Sequence, residues 1–369
     1  MTTPFWLDEP YDPRPPLGAD VEVDACVIGA GVAGLSCARA LAQRGVETIV
    51  LERDTVAGGA SGRNGGFLLA GLAAFYVDAR EPELYARTLA AQEEIYELAA
   101  SLGAVDAVRR TGLLRVSASE EEADHVRRQV DALKADGFPA ELVEREQLPE
   151  ALQPAFHNAC LTPNDGALHP ARWIKALAGA AEEAGARICE DTPVTAPPRD
   201  GRVVADGGSV RARHVIVAAD GALPVLVPSL AGRVRARRLH MVATEPLSER
   251  LVDCPVYARW GFEYFQQPPD GRLLAGGFSD LDGDASYTDR YEGNPAVWER
   301  IERYLAEVLG VTAPITHRWV GIVGYTDDLL PFVGEVPGSP GVYAAGGYSG
   351  HGNVLGYLAG KQMATSCCP

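Results

Sequence analysis

Apolar and polar positions change period twice within the first stretch of ordered pattern. Val23, Val27 and Ile28 form a β-branched strand, the glycine cluster Gly29-Ala-Gly31-Val-Ala-Gly34 interrupts it, an alanine-rich helical pattern follows, and a second strand runs from Glu47 to Leu51. The pattern predicts a βαβ unit behind a proline-rich lead, YDPRPPLGAD. Residues 81–102 and 119–136 carry amphipathic helical spacing, with TGLLRVSAS as a strand between them. A helix over 170–184, a short strand near Ile188 and the apolar strand VIVAADGALP come next. From Arg237 to Gly277 the pattern alternates and breaks at PPDG, and a helix near 296–309 precedes RWVGIVGYTDDLLPFVG.

This order predicts an α/β chain, α+β overall, with two domains. A discontinuous Rossmann-like domain takes residues 21–84, 147–223 and 318–369. A second domain with a mainly antiparallel sheet takes 85–146 and 224–317, and residues 1–20 form the lead.

Composition narrows the field of partners. With 369 residues, 47% of them hydrophobic, the chain can bury a large core. A net charge of -17 repels phosphate backbones and acidic membrane surfaces, which argues against nucleic-acid and membrane partners. Of 33 basic residues only Lys134, Lys175 and Lys361 are lysines, a skew that suggests a high-GC bacterial genome. The seven cysteines contain no CxxC pair, which fits reduced thiols better than disulfides or zinc, and MTTPFWLDEP has no export signal. No run of about 18 apolar residues occurs, so the expected compartment is the cytoplasm.

Two glycine-rich stretches carry the chemistry. Gly29, Gly31 and Gly34 lie between a strand and a helix, where they permit a tight turn and close approach of a pyrophosphate to the helix N-terminus, with the N–H groups of Val32 and Ala33 beside it. Glu52 ends the next strand and can accept from a ribose 2′-OH. Together these predict a dinucleotide site, with NAD and FAD both open from position alone. The loop GGASGRNGG, residues 58–66, has the backbone freedom to run along an extended cofactor, and its Arg63 is either a flavin contact or a surface charge. Near the C-terminus, AAGGYSGHGNVLG places glycines and His351 before an apolar helix, offering backbone N–H groups to developing negative charge. No second histidine or carboxylate cluster accompanies His351, so no metal site is expected there.

Gly29–Gly34 with Glu52, then GGASGRNGG, ADG, GFEYFQQPPDGRLLAGG, WVGIVGYTDDLLPFVG and GGYSGHG, in that order, resemble the D-amino-acid oxidase superfamily of FAD-dependent oxidoreductases. Within it the likeness is greatest to gamma-glutamylputrescine oxidoreductase-like proteins, and it includes the aromatic lead FWLDEP. The resemblance implies a glutathione-reductase-type FAD-binding domain. It assigns Gly29, Gly31, Gly34, Glu52 and Arg53 to the ADP half of FAD, and Gly59, Ala60, Ser61, Arg63, Asn64 and Gly65 to the loop beneath the flavin. Val194 is implied at the adenine, Ala219 and Gly221 at the ADG turn, and Gly347, Tyr348, Ser349, Gly350, His351 and Gly352 at the pyrimidine edge of the flavin. It further implies that a neutral amine or amino acid gives a hydride to flavin N5, the imine then hydrolysing, with O2 or another acceptor reoxidising the flavin.

Two departures from the family matter. Amino-acid oxidases of the superfamily often carry an arginine before T-x-D-x-x-P-x-x-G to grip the substrate carboxylate; here Val320-Gly-Ile-Val323-Gly324 occupies that run. Valine cannot form a bidentate clamp, which favours an amine, or an amino acid with its carboxylate elsewhere, over a simple α-amino acid. No lysine lies in the strand block where some relatives activate O2, leaving Arg63, His240 or His351 as stand-ins, or a different acceptor. Tyr257, Tyr264, Tyr325 and Tyr348 are expected at the pocket wall, and Asp328 at a structural turn before Pro331. The end at SCCP is shorter than in many relatives, which would leave one edge of the cofactor domain less covered. A 2-hydroxy-acid or glycerol-3-phosphate dehydrogenase and a catalytically impaired flavin-binding partner subunit are the competing readings; monomer and homodimer both stay open.

Overall fold

The computed structural model describes residues 1–368 and divides into two compact units. The first comprises Met1–Asp8, Asn64–His169 and Arg238–Gly321, and the second Glu9–Arg63, Pro170–Arg237 and the chain from Ile322 onward.

The second unit is built on a sheet whose strands lie in the order Phe332–Glu335, Val342–Gly346, Gly208–Val217, Val21–Ile28, Thr48–Leu51, Arg187–Cys189, with Arg202–Ala205 hairpinned onto Gly208–Val217. The pairings from Val342–Gly346 to Arg187–Cys189 are all parallel, and the outer strand Phe332–Glu335 is antiparallel. Parallel strands need both faces covered. Accordingly Ile28, Val215, Val217, Leu51 and Ala344 are buried in one core with Leu223, Leu230 and Val234. The helices Val32–Ala42 and Gly352–Cys367 approach closely because Gly356 and Gly360 carry no side chain: a Cβ at Gly360 would lie 2.3 Å from Ala33 O, and one at Gly356 2.8 Å from Val32 Cγ1.

The first unit holds an eight-stranded sheet that receives Ile315–Tyr325, Arg235–Pro246, Arg272–Gly277, Glu263–Gln266, Val256–Ala258, Leu113–Val116, Asn158–Thr162 and Glu141–Glu144 in that order. Val256–Ala258 runs parallel to Leu113–Val116; the other pairings whose register is defined are antiparallel. The helix Pro295–Val308 covers one face, with Trp298, Ile301 and Leu305 entering a core that includes Val242, Phe265 and Val320. The small sheet of Phe67–Leu68, Gly166–Leu168 and Val108–Arg110 also belongs to this unit. Among the described residues no helix is long and apolar enough to cross a membrane.

Unit boundaries differ from those expected. Residues 64–84 and 147–169 lie in the first unit, because Phe67–Leu68 pairs with Gly166–Leu168, and Asn158–Thr162 pairs with Leu113–Val116. Residues 224–237 lie in the second, where Leu230 and Val234 fill its core, and residues 318–321 in the first. The lead is split at Asp8. Its later part is tied into the second unit by Glu190, a fully buried carboxylate that accepts from Tyr11 Oη at 2.7 Å, Arg14 N at 2.5 Å and Val56 N. Trp6 in the earlier part is fully buried and donates from Nε1 to Asn64 O at 2.8 Å. Replacing Glu190 with alanine leaves one buried and two part-buried donors without their acceptor and is expected to destabilise the protein by about 3 kcal/mol, read as a lowered denaturation midpoint; an unchanged midpoint would show that the anchoring is dispensable.

Candidate cofactor and substrate site

The glycine cluster forms a cradle at the end of Val21–Ile28. Gly29 has φ +107°, and a Cβ there would lie 2.6 Å from Ala218 O; a Cβ at Gly34 would lie 1.9 Å from Gly29 O. Gly31 is the N-cap of Val32–Ala42, and a Cβ on it would meet Ser61 Oγ at 2.8 Å. Ser61 Oγ accepts from Val32 N at 3.0 Å, which brings the second glycine loop onto the same helix start. Glu52, also buried, accepts from Ala30 N at 2.7 Å and Asp54 N at 3.1 Å, leaving lone pairs on both oxygens. Burial raises its carboxyl pKa, opposed by those two N–H groups. Thr192 N donates to Glu52 O, and Val194 bridges to Ala205, so the Val194 segment runs beside Glu52. Arg53 is half-exposed and pairs with Asp54 at 3.0 Å. A cradle that any Cβ would fill, a helix N-terminus and an acceptor carboxylate at the strand end fit the pyrophosphate and ribose of a dinucleotide.

Within Ala60–Arg63, a short helical turn, Arg63 folds back so that Nε donates to Gly58 O at 2.7 Å. Gly59 lies just before this turn with nothing within 4 Å of a Cβ, and Ala60 opens it. In the first unit, Asn64 Oδ1 accepts from Gly66 N, while Gln266 Nε2 donates to Gly65 O and, at 3.0 Å, to Gly66 O. Trp6 and Gln266 thus brace the end of this loop, and neither stands out in the sequence.

The C-terminal loop is organised by Asp220, which reads in sequence as a turn residue. It sits at φ +43° and accepts from Gly324 N at 2.8 Å, Gly347 N at 2.9 Å, and the N–H groups of Tyr348 and Gly221. Burial raises its pKa, and those four donors hold it down. Ser349 N donates to Gly324 O at 2.9 Å and His351 N to Tyr348 O at 3.0 Å. The expectation of several loop N–H groups at the start of the last helix therefore narrows to fewer donors. Those of Gly347 and Tyr348 go to Asp220, that of Ser349 to Gly324 O and that of His351 to Tyr348 O, and the donors that lack intrahelical acceptors are those opening Gly352–Cys367. His351 is buried at the N-cap of that helix, without a side-chain cap bond, and follows Gly350 at φ +93°. Ala219 and Gly221 flank the carboxylate, and Gly221 packs on Val323 and Gly324.

The tyrosines separate into two groups. Tyr325 Oη would lie 3.5 Å from a Cβ at Gly350, and the Arg237 guanidinium stands 5.0 Å from its ring; Arg237 carried no signal in sequence. Tyr257 and Tyr264 face each other across paired strands and meet Phe67 at 5.1 and 5.9 Å. Tyr348 does not line a pocket wall. Its ring packs on Gly352 and Gly356 with the hydroxyl buried and unpartnered, and burial, with the Asp220 charge, pushes the phenol well up. His240 is likewise misplaced as an O2-activating cation: it is fully buried, and Nε2 accepts from Asn294 N at 2.8 Å. Lys134, Lys175 and Lys361 lie in helices, and Asp328 accepts from Leu330 N at 3.0 Å within its turn.

A family model described as FAD dependent oxidoreductase (DAO) matches residues 24–366. A probable oxidoreductase OrdL of Rhizobium meliloti is 30% identical over 93% of this chain and 82% of its own length. The gamma-glutamylputrescine oxidoreductase of Escherichia coli is 28% identical over 96% and 85%. The crystal structure of glycine oxidase from Geobacillus kaustophilus superposes with a TM-score of 0.77 at 24% identity, over 94% of each chain.

Burial, and then the Arg238 charge, push the His240 imidazole from 6.5 down to about 4. The unfolded chain takes up this proton first as pH falls. The native stability from the neutral ring is therefore complete above pH 6.5 and drains away toward pH 4, by about 3 kcal/mol in all. Denaturation midpoints across that window should fall in the wild type and flatten in His240→Gln; equal slopes would refute the placement.

Proposed function

The chain belongs to the DAO family of FAD-dependent oxidoreductases, its cofactor is FAD, and from that premise we propose that it oxidises an amine at the carbon bearing the nitrogen. One observation carries the choice of amine over simple α-amino acid. The run that bears a carboxylate-gripping arginine in many amino-acid oxidases is here Val320–Gly324, and Val323 has no cationic head. Its neighbour Gly324 cannot take a side chain either, because a Cβ would lie 2.6 Å from Asp220 Oδ1. The names of the gamma-glutamylputrescine oxidoreductase and glycine oxidase relatives support an amine or amino-acid substrate.

The residues divide the work. Gly29, Gly31, Gly34 and the N–H groups of Val32 and Ala33 would hold the pyrophosphate, and Glu52 the ribose hydroxyls, with Arg53 at the rim and Val194 at the adenine. Gly59, Ala60, Ser61, Arg63, Asn64 and Gly65 would support the flavin from one side. Gly350, His351 and Gly352, at the start of the last helix, would meet its pyrimidine edge. Bound FAD supplies the acceptor for a hydride from the substrate carbon, and the resulting imine hydrolyses in water. Phe67, Tyr257 and Tyr264, clustered within the first unit, are the aromatic candidates for substrate contact there, and in the second unit Tyr325 lies beside the C-terminal loop. No side-chain base is required, because the amine reacts after losing its proton to solvent. His351, buried within the C-terminal loop, would lie beside the bound flavin, whose electrons would go to O2 or another acceptor.

Anaerobic mixing of the flavin-loaded protein with amines tests this. Bleaching of the yellow band is expected, with kcat/KM for reduction rising with pH toward the amine's own pKa, because the neutral form reacts. A flat profile from about pH 6 to 10, or reduction by 2-hydroxy acids but not amines, would overturn the reading.

A further inference from the structure

Leu113–Val116 sends alternate side chains to opposite faces. Leu114 and Val116 enter the main core of the first unit, whereas Leu113 packs with Phe67 on the other face. Arg115 lies on that second face. Its guanidinium is sandwiched by Phe75 at 4.4 Å and Tyr257 at 5.2 Å. The residue is 8% exposed, and Nη1 is buried with no hydrogen-bond partner. The buried carboxylate whose charge interacts with it, Asp165, is already bonded to Thr162 Oγ1 at 2.5 Å, Gln92 Nε2 at 2.7 Å and Ala70 N at 2.9 Å. A desolvated cation without a hydrogen-bonded anion is costly, and an incoming anion relieves the cost.

The surroundings of Arg115 are held in unusual backbone. Arg259, Trp260 and Gly261 are successively left-handed, at φ 46°, 60° and 85°. Trp260 leans on Phe75 at 5.6 Å and His125 at 4.9 Å, and a Cβ at Gly261 would come within 3.6 Å of Arg115 Nη1. Non-glycine residues in this region store strain that clusters at ligand sites.

Register gives the scale. Tyr264 opposes Tyr257, and Tyr257 is the partner of Arg115, so the three residues occupy successive strands on one face. Two strand spacings set the backbones of Tyr264 and Arg115 about 10 Å apart. Tyr264 lies against Gly65, since a Cβ there would meet its Cε2 at 3.1 Å. The row therefore runs, within the first unit, from Gly65 to a buried cation.

We propose that Arg115 binds a carboxylate of the substrate, so that the amine oxidised is an amino carboxylate. The assignment rests on the amine-oxidation reading.

Two measurements on the flavin-loaded protein separate the two claims. Calorimetric titration with glutarate, which cannot be oxidised as an amine, is expected to show binding that weakens about 100-fold in Arg115→Gln and in Arg115→Met, and less in Arg115→Lys. An unchanged flavin spectrum reports that each variant is folded. Anaerobic flavin reduction by δ-aminovalerate should exceed that by pentylamine about 100-fold in kcat/KM, a preference lost in Arg115→Gln. Failure of the wild type to bind glutarate, equal binding by Arg115→Gln, or equal rates with the two amines would overturn the assignment. Arg115-dependent glutarate binding with no reduction by any amine would instead uphold the anion site and refute amine oxidation.

Discussion

The second unit depends on a half-buried carboxylate held by backbone N–H groups. Asp220, at the end of the strand Gly208–Val217, gathers N–H groups from its own turn, from Gly324 and from Gly347–Tyr348, and so joins three segments distant in sequence. Four backbone donors are what make a partly desolvated carboxylate tolerable in that position. The bonds set the path of residues 347–351, and that path sets where the helix Gly352–Cys367 begins. Gly356 and Gly360 then let this helix lie directly on Val32–Ala42, whose own start holds the glycine cradle. The proposed FAD contacts thus depend on two helix N-termini kept in fixed relation by small residues and one acid.

The first unit contributes by a different principle. Its sheet sorts side chains by alternation, sending Leu114, Val116 and Phe265 into an apolar core and leaving Tyr257, Tyr264, Leu113 and Arg115 on the opposite face. Tyr264 fits because Gly65, Gly276 and Gly277 lack side chains where its ring passes. An apolar aromatic row with a cation at its end can select an anionic ligand by charge.

Features encoded within a few residues were legible in the sequence. Gly29, Gly31, Gly34 and Glu52 announce their cradle because strand, turn and helix are contiguous, and the helices at 82–101, 120–135, 170–183 and 295–308 follow from apolar spacing alone. What escaped depends on contacts across long separations. Asp220 looks like one half of an ordinary Asp-Gly turn until Gly324 and Gly347 are brought to it. Glu190, Trp6 and Gln266 act on backbone groups far along the chain, and Arg115 passes for a charged residue on a half-exposed strand. Tyr348 and His240 were misjudged for the same reason: a motif places a residue near a site, but only packing decides which way its side chain turns. Domain boundaries shifted because Phe67–Leu68 and Asn158–Thr162 find their strand partners in the first unit.

The role given to Asp220 is most directly tested by the two-electron midpoint potential of the bound flavin, measured in the wild type and in Asp220→Asn, which keeps the volume but cannot accept all four N–H bonds. If the carboxylate orders the helix start that stabilises negative charge on the reduced flavin, the wild-type potential lies above that of free FAD and falls toward it in the variant. Equal potentials in a variant that still binds FAD would contradict that role.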